Sequence, residues 1–232
     1  MKLQDLGVIF DWDGVVIDSS EHHETSWERL SAETGLSLPE DHFKRGFGMK
    51  NEVIIPHLLN WTHDPEEIRK LSLRKEELYR EVVQERGIWA LRGVTEFLSS
   101  LREAGIPRVI GSSTHRLNIE TTLETLGLEG IFTGIISAED VSKGKPDPEV
   151  FLKAAQRIGR APAACVVIED ALVGIEAAHA AGMKVVAVAT TNDLEQLSEA
   201  DFAVASLSEL GVQHLLPLFS AKVVEPTAGT LA

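Results

Sequence analysis

Residues 6–14 read Leu6-Gly7-Val8-Ile9-Phe10-Asp11-Trp12-Asp13-Gly14, a short apolar run followed by two acidic residues and a glycine. The length of the run and its β-branched residues favour a buried β-strand over a helix. Asp11 and Asp13 are two positions apart where the chain is still extended, so both carboxylates face one side. A polar turn with Gly14 at the bend would explain the same residues. The remaining motifs of the chain distinguish this turn from a functional acidic pair.

Alternating helical and extended patterns follow from Gly93 onward. Helical periodicity covers residues 94–104, 117–126, 148–158 and 171–181, and short apolar runs cover 108–111, 131–136, 165–168, 184–189 and 202–205. This alternation is typical of βαβ units in an α/β fold with a mostly parallel sheet. The carboxyl ends of such strands meet at one edge, where open α/β sheets bind ligands.

The segment between the first strand and Gly93 has a different pattern. It contains no β-branched run, and residues 21–34, 51–59 and 65–85 read as amphipathic helices. We therefore predict a core of residues 1–18 and 88–220 with an inserted small α-helical cap domain, residues 19–87. Residues 221–232 lack periodicity and are predicted to form a flexible C-terminal tail.

Composition limits the partners of the chain. Its 232 residues include 22 Lys and Arg against 36 Asp and Glu, a formal net charge of −14, which repels nucleic acid phosphates and anionic membranes. No apolar run approaches the roughly 20 residues of a membrane span, and the first residues lack a signal-peptide core. We expect a cytoplasmic monomer that binds neither nucleic acid nor membranes. The single cysteine, Cys165, lies in an apolar run and is expected to be a buried thiol.

A second acidic pair, Glu169-Asp170, follows the predicted strand 165–168. Asp170 alone would suit a helix N-cap. Together with Asp11 and Asp13, however, the pair gathers four carboxylates at one edge of the sheet, where their repulsion requires a counter-charge. Mg²⁺ is the simplest one, because this hard cation binds carboxylates, water and phosphate oxygens. We therefore predict a Mg²⁺ site at this edge.

Hydroxyl and lysine residues at neighbouring strand ends suit a phosphate. Ser112 and Ser113 follow the run 108–111, where hydroxyls and free main-chain N–H groups can bind phosphate oxygens. An ordinary capped turn gives the same pattern. Lys145 precedes a proline that restricts its backbone, and it is the preferred phosphate ligand, whereas Lys143 is expected to face solvent.

Combined, the four motifs describe phosphoryl transfer, with Asp11 attacking phosphorus, Asp13 moving protons, and Ser112 and Lys145 holding the phosphate. They resemble, in the same order along the chain, the motifs of the haloacid dehalogenase superfamily. The resemblance implies a Rossmann-like core with a cap that closes over it, and an aspartyl-phosphate intermediate. It also implies Mg²⁺ ligands from the Asp11 carboxylate, the Asp13 carbonyl and the Glu169-Asp170 pair.

Within the superfamily, the chain resembles the β-phosphoglucomutases and related phosphatases. This resemblance implies that His23 and Lys75 of the cap face the substrate. At the place where the cap of these relatives carries a substrate-binding arginine, this chain has Lys50 or Arg45. Arg116, which follows the phosphate-binding serines, is a further candidate substrate ligand. A helix histidine paired with an acid and a lysine on a solvated helix face are the alternative readings of His23 and Lys75.

Two enzyme functions fit the motifs, and a third, remote alternative shares only part of them. The first is a Mg²⁺-dependent phosphatase, a phosphoric monoester hydrolase that acts on a small phosphorylated metabolite such as a sugar phosphate. A hexose-phosphate mutase of the β-phosphoglucomutase type shares the aspartyl-phosphate but passes the phosphoryl group to a sugar hydroxyl, which requires the exclusion of water. A receiver-like phospho-aspartate signalling module would lack both the cap and the proton-transferring Asp13.

Overall fold

A computed structural model describes residues 1–46 and 49–220, and the predicted tail, 221–232, lies outside the described residues. Its centre is one parallel sheet. The strands are β1 (Gly7–Phe10), β2 (Arg108–Gly111), β3 (Ile135–Ile136), β4 (Cys165–Glu169), β5 (Lys184–Val188) and β6 (Phe202–Val204). Their order in the sheet is β3-β2-β1-β4-β5-β6. The predicted α/β fold with a parallel sheet is confirmed.

Helices flank the sheet and fill the segment after β1. They are α1 (Ser20–Thr34), α2 (His42–Gly46), α3 (Asn51–Val53), α4 (Pro65–Arg86), α5 (Val94–Glu103), α6 (Arg116–Leu126), α7 (Glu149–Arg157) and α8 (Leu172–Ala180). Short 3₁₀ turns lie at Leu3–Asp5, Ala138–Asp140, Pro162–Ala164, Leu207–Glu209, Val212–His214 and Leu216–Phe219. None of the helices in the described ranges is long and apolar enough to cross a membrane.

The sheet has an apolar core on each face because side chains alternate along its strands. Phe10 of β1 packs in one layer with Phe97 of α5, and the neighbouring Ile9 packs in the other with Phe151 of α7. Cys165 belongs to the second layer and is buried, as its apolar surroundings predicted. Burial raises the pKa of this thiol to about 11. The strands that carry the acidic motifs are thus packed on both faces.

Helices α1 and α4 and the segment between them form their own apolar cluster outside the sheet. Trp27 and Leu30 of α1 pack with Leu78 of α4 and with Ile55. The helix α4 begins with Pro65 at its first position, and the Asp64 carboxylate accepts hydrogen bonds from the next two N–H groups at 3.0 and 2.9 Å. A separate cluster of this kind is compatible with an inserted cap, and the domain limits at residues 19 and 87 stay a prediction.

Three local features differ from the sequence-based expectation. The helix α2 was not expected, because five residues are too few to show a helical period. The predicted helix 51–59 becomes a π-helical turn at Ile54–Leu58, since Pro56 has no N–H to continue the α-helical bonds. The predicted strand 131–136 is short, because Ile131 donates its N–H to the Leu128 carbonyl and forms a turn.

Candidate active site

The two acidic pairs lie side by side at the carboxyl end of the sheet. Strands β1 and β4 are neighbours, and Phe10 pairs with Ile168, so both chains reach their acidic motif at the same level. The main-chain N–H of Asp11 donates to the Ile168 carbonyl at 3.0 Å. Asp11, Glu169 and Asp170 are therefore brought together and are all buried.

These three carboxylates form a cluster that suits a metal ion. Each of Asp11, Glu169 and Asp170 places a carboxylate oxygen within 4.8 Å of the others. The Oδ1 atoms of Asp11 and Asp170 are buried without a hydrogen-bond partner. Carboxylate oxygens that are buried and lack donors are good ligands for a hard cation. The donor set fits a divalent cation.

The acid–base behaviour of the cluster also calls for a positive charge. Burial raises the pKa of Asp11 to about 7, and the carboxylates of Glu169 and Asp13 act in the same direction, against Lys145. Burial and the carboxylates of Glu169 and Asp11 raise the pKa of Asp170 well above its ordinary value. A bound divalent cation would favour the ionised form of both groups.

Small and polar residues around Asp170 fix its position. Gly14 has a φ of 76°, and a Cβ atom there would lie 2.0 Å from Asp170 Oδ2, so a side chain at residue 14 would displace the carboxylate. The Thr191 hydroxyl donates to Asp170 Oδ2. The Asn192 amide donates to the Asp170 carbonyl at 2.9 Å. The loop after β5 thus bonds to both the carboxylate and the main-chain carbonyl of Asp170.

Lys145 connects the two strand ends. Its ammonium lies 3.0 Å from Asp11 Oδ2 and 2.5 Å from Glu169 Oε1, and its side chain is 1% exposed. Burial acts to lower the pKa of Lys145, but the two carboxylates outweigh it and hold the pKa above its ordinary value. The Ser112 hydroxyl also bonds to Asp11. By contrast, Lys143 has a 73% exposed side chain, in line with the solvent-facing expectation.

The side chain of Asp13 faces the cap and the neighbouring loops rather than the metal cluster. Ser19 donates to Asp13 Oδ1 at 2.5 Å, and Thr114 donates to Oδ2. His23 Nε2 lies 3.2 Å from Oδ1. Burial acts to raise the pKa of Asp13, but His23 and the two hydroxyls together bring it well below its ordinary value. Asp13 is therefore a carboxylate in this arrangement.

Two of the predicted cap residues form a chain that leads to Asp13. The Lys75 ammonium donates to His23 Nδ1 at 2.6 Å, which leaves the proton of the neutral ring on Nε2, facing Asp13. Lys75 also pairs with Glu76 at 3.1 Å, and both side chains are buried. The solvated helix face considered for Lys75 is thus not what the structure shows.

The remaining predicted residues separate into two groups. Ser113 and Lys50 line the same cavity as Asp11 and Asp13. Arg116 does not reach that cavity, because its guanidinium pairs with Asp140 at 2.6 Å and donates to a main-chain carbonyl. Arg45 pairs with an aspartate one helical turn away, at 3.3 Å, and is exposed.

The arrangement of acidic strand ends beneath a helical insertion has counterparts among known proteins. A family model described as haloacid dehalogenase-like hydrolase matches residues 8–188. The chain belongs to this family of hydrolases. The match runs from β1 to β5 and so includes every strand end that carries a candidate catalytic residue.

Individual haloacid dehalogenase-like relatives are similar over most of the chain. A 5-amino-6-(5-phospho-D-ribitylamino)uracil phosphatase, chloroplastic, of Arabidopsis thaliana is 37% identical over 95% of this chain, which spans 59% of that protein's length. Hexitol phosphatase A of Escherichia coli is 33% identical, over 89% of this chain and 93% of that protein. The crystal structure of β-phosphoglucomutase from Clostridium difficile has a TM-score of 0.81 at 26% identity, covering 92% of this chain and 96% of its own. The predicted family and its enzyme class, phosphoric monoester hydrolase, are confirmed.

Several residues of this haloacid dehalogenase-like site were not singled out from the sequence. Ser19 and Thr114 bind Asp13, and Thr191 and Asn192 bind Asp170. The only available signal was position, since all four stand within a few residues of a strand end or a motif. Hydroxyl and amide residues are common in such loops, so their position alone does not identify partners that are distant along the chain.

Proposed function

We propose that the chain is a Mg²⁺-dependent phosphatase that hydrolyses a small phosphorylated metabolite, with a phosphorylated sugar or sugar alcohol as substrate, through an aspartyl-phosphate on Asp11. The observation that carries this proposal is the position of Asp11. Its carboxylate lies between the Lys145 ammonium and two further carboxylates, at the floor of the cavity that Asp13 also lines. A nucleophile, a proton carrier, a phosphate-binding cation and a metal site are thereby within reach of one phosphate.

In the first step, an Asp11 oxygen attacks phosphorus while Ser112, Ser113 and Lys145 hold the phosphate oxygens. An oxygen–phosphorus bond to Asp11 forms, and the bond from phosphorus to the leaving alkoxide breaks. Asp13 supplies the proton that turns the alkoxide into an alcohol. In the second step, a water oxygen bonds to the phosphorus of the aspartyl-phosphate while Asp13 takes a proton from that water. The bond from phosphorus to the Asp11 oxygen breaks, which releases inorganic phosphate and restores the Asp11 carboxylate.

The surroundings of Asp13 match one of these two roles directly. With hydrogen bonds from Ser19, His23 and Thr114, Asp13 is ionised and suited to accept the proton of water. The same bonds oppose its protonation, so proton donation in the first step requires Asp13 to turn away from some of them. His23 and Ser19 lie at the beginning of the helical insertion, so this turn would break contacts between Asp13 and the insertion.

Asp11, Asp170 and Glu169 would hold the Mg²⁺, together with the main-chain carbonyl of Asp13 that the family resemblance implies. When bound, Mg²⁺ screens the repulsion between the Asp11 carboxylate and the phosphate dianion. The unpartnered oxygens of Asp11 and Asp170 support this assignment. The side chain of Asp13 has no part in it, because both of its oxygens already accept hydrogen bonds.

The names of the relatives support the substrate class. One acts on a phosphorylated ribitylaminouracil and one on a hexitol phosphate, so both names specify a phosphorylated polyol chain. A hexose-phosphate mutase is the second candidate, and two observations favour it: the contact of Lys75 with His23, and the similarity to a β-phosphoglucomutase.

Phosphorus NMR separates the two functions. The purified protein is incubated with Mg²⁺, β-glucose 1-phosphate and a trace of glucose 1,6-bisphosphate, and in parallel with sorbitol 6-phosphate and 5-amino-6-(5-phospho-D-ribitylamino)uracil. We expect inorganic phosphate from at least one of these esters. Conversion of β-glucose 1-phosphate to glucose 6-phosphate would establish the mutase instead. No reaction of any ester, or of 4-nitrophenyl phosphate, would contradict both.

A further inference from the structure

The cavity above the acidic cluster has two unlike ends. Its floor carries Asp11 and Asp13, whereas its cap-side wall combines the apolar Trp27, Met49 and Ile54 with polar and charged side chains. If the phosphate binds at the floor, as the proposed function requires, the remainder of the substrate faces this mixed wall. The hydrogen bonds that the polar side chains of the wall already make then decide whether it favours an uncharged or an ionised group.

One polar atom in this wall has no partner. His42 of α2 lines the cavity and is 8% exposed, and its Nδ1 lies 2.8 Å from the Pro39 carbonyl. A carbonyl can only accept, so Nδ1 carries the proton, and Nε2 of the neutral ring presents a lone pair. Nε2 is buried and bonds to none of the residues that the structure describes. A buried acceptor in this state gains free energy from any donor brought to it.

The basic side chains of Lys50, Lys75 and His115, which also line the cavity, already have acceptors. The Lys50 ammonium donates to two main-chain carbonyls of the core at 2.8 and 2.9 Å. Lys75 pairs with Glu76 at 3.1 Å, and His115 pairs with Glu139 at 3.1 Å. A second phosphate at this end would therefore have to break an existing interaction to reach a positive charge. It would also meet the lone pair of a histidine.

We propose that His42 is a specificity-determining residue whose Nε2 accepts a hydrogen bond from an uncharged head group of the substrate, either a hydroxyl or a ring N–H. This inference rests on the proposed phosphatase function and extends it to the part of the substrate far from the phosphate. A head group that carries a donor completes the hydrogen bonding of the wall. A head group that lacks one leaves Nε2 unpaired, and an ionised phosphate presents only further acceptors.

The test measures binding in the Asp11→Asn protein, which does not depend on turnover. Dissociation constants are measured by calorimetry with Mg²⁺ for two pairs of phosphate esters that differ by one methyl group on the donor. The pairs are uridine 5′-phosphate with its N3-methyl derivative, and 4-hydroxyphenyl phosphate with 4-methoxyphenyl phosphate. We expect the donor-bearing member of at least one pair to bind about tenfold more tightly.

Two substitutions of His42 then assign the preference to Nε2. His42→Asn keeps a donor near the Pro39 carbonyl but removes the acceptor. The two members of each pair should then have about equal dissociation constants. His42→Gln carries an amide oxygen near the position of Nε2 and should keep part of the preference. His57→Asn, at an exposed histidine outside the cavity, is the matched control and should change nothing.

The outcomes are distinct from failure of the proposed function. Equal binding within both pairs, or a preference that survives His42→Asn in a protein with unchanged thermal unfolding, overturns the role of His42. Hydrolysis of 4-nitrophenyl phosphate by the wild-type protein tests the phosphatase separately, because that ester carries no donor in its head group.

Discussion

Gly174 lies so close to the Glu169 carboxylate that a Cβ atom at residue 174 would be 1.7 Å from Oε1. That oxygen accepts the 2.5 Å hydrogen bond from Lys145, and Oε2 accepts the N–H groups of Asp170 and Ala171 at 2.8 Å each. The first turn of α8 therefore packs directly onto the acidic strand end. A glycine is required there because the carboxylate occupies the space of a side chain.

Gly174→Ala should accordingly damage both stability and activity. The added methyl group has to displace Glu169, and overpacking of this kind costs about 1–3 kcal/mol. Because Lys145 moves with Glu169, we expect kcat/KM for a phosphate ester to fall by at least about tenfold, as expected when a positioned group shifts. Urea unfolding and steady-state kinetics measure the two effects.

Gly182→Ala is the matched control at the other end of α8. A Cβ at Gly182 would meet nothing within 4 Å, although its φ of 74° makes alanine unfavourable. This variant should lose stability and keep kcat/KM. Equal activity of the two alanine variants would show that the position of Glu169 has no bearing on catalysis.

Asp11→Asn should abolish turnover without unfolding the protein. The amide cannot act as the nucleophile, so we expect kcat to fall by at least about 10³-fold. Phosphate release and circular dichroism are the measurements. Asp18→Asn, at an exposed residue of the same segment, is the control and should stay active. A kcat of the Asp11→Asn variant close to that of the wild type would assign the nucleophile to another residue.

The acidic motifs could be predicted from the sequence because each depends on local features. A short apolar run such as 165–168 identifies a strand, and the residue after it reaches the edge of a parallel sheet whatever the details of packing. The positions of Asp11 and Asp170 follow from this rule. The pairing of Phe10 with Ile168 brings the two carboxylates together, and it follows once β1 and β4 are neighbours in the sheet.

The contacts of the site with the cap could not be predicted in the same way. Lys75 of α4 and His23 of α1 are 52 residues apart. Their contacts depend on how α1 and α4 pack over the sheet, and no local pattern records that packing. The role of His42 depends in addition on the short helix α2, whose five residues carry no period.

Mg²⁺ should stabilise the protein through Asp170. At a free concentration of about 100 times the dissociation constant, binding adds about 2.7 kcal/mol, which raises Tm by roughly 5–10 °C in a chain of this size. Asp170→Asn should lose most of this increase, because the cluster then has one carboxylate fewer. The exposed Asp193→Asn serves as the control. A full Mg²⁺-induced increase in the Asp170 variant would place the cation elsewhere.

The ionised Glu76 should make the free energy of unfolding decrease as the pH falls below the ordinary pKa of a glutamate. It is buried and bonds to Asn51 at 2.6 Å and to Asn118 of the core helix α6. Burial acts to raise the pKa of Glu76, but Lys75, His23 and His115 outweigh it and lower the pKa from 4.5 to about 2. A carboxylate whose pKa is lower in the folded protein stabilises the fold above the unfolded value. That contribution is lost as the pH falls from about 4.5 to about 2.

Glu76→Gln isolates this contribution, because the amide keeps the shape of the side chain and cannot titrate. The free energy of unfolding is measured in urea at pH 6 and pH 3 for both proteins. We expect the advantage of the wild type over the variant to shrink by about 2 kcal/mol between these two pH values. Glu77→Gln, on the exposed side of α4, should show no such change relative to the wild type. A constant difference between wild type and Glu76→Gln at both pH values would mean that Glu76 does not hold α4 against α6 as an ionised group.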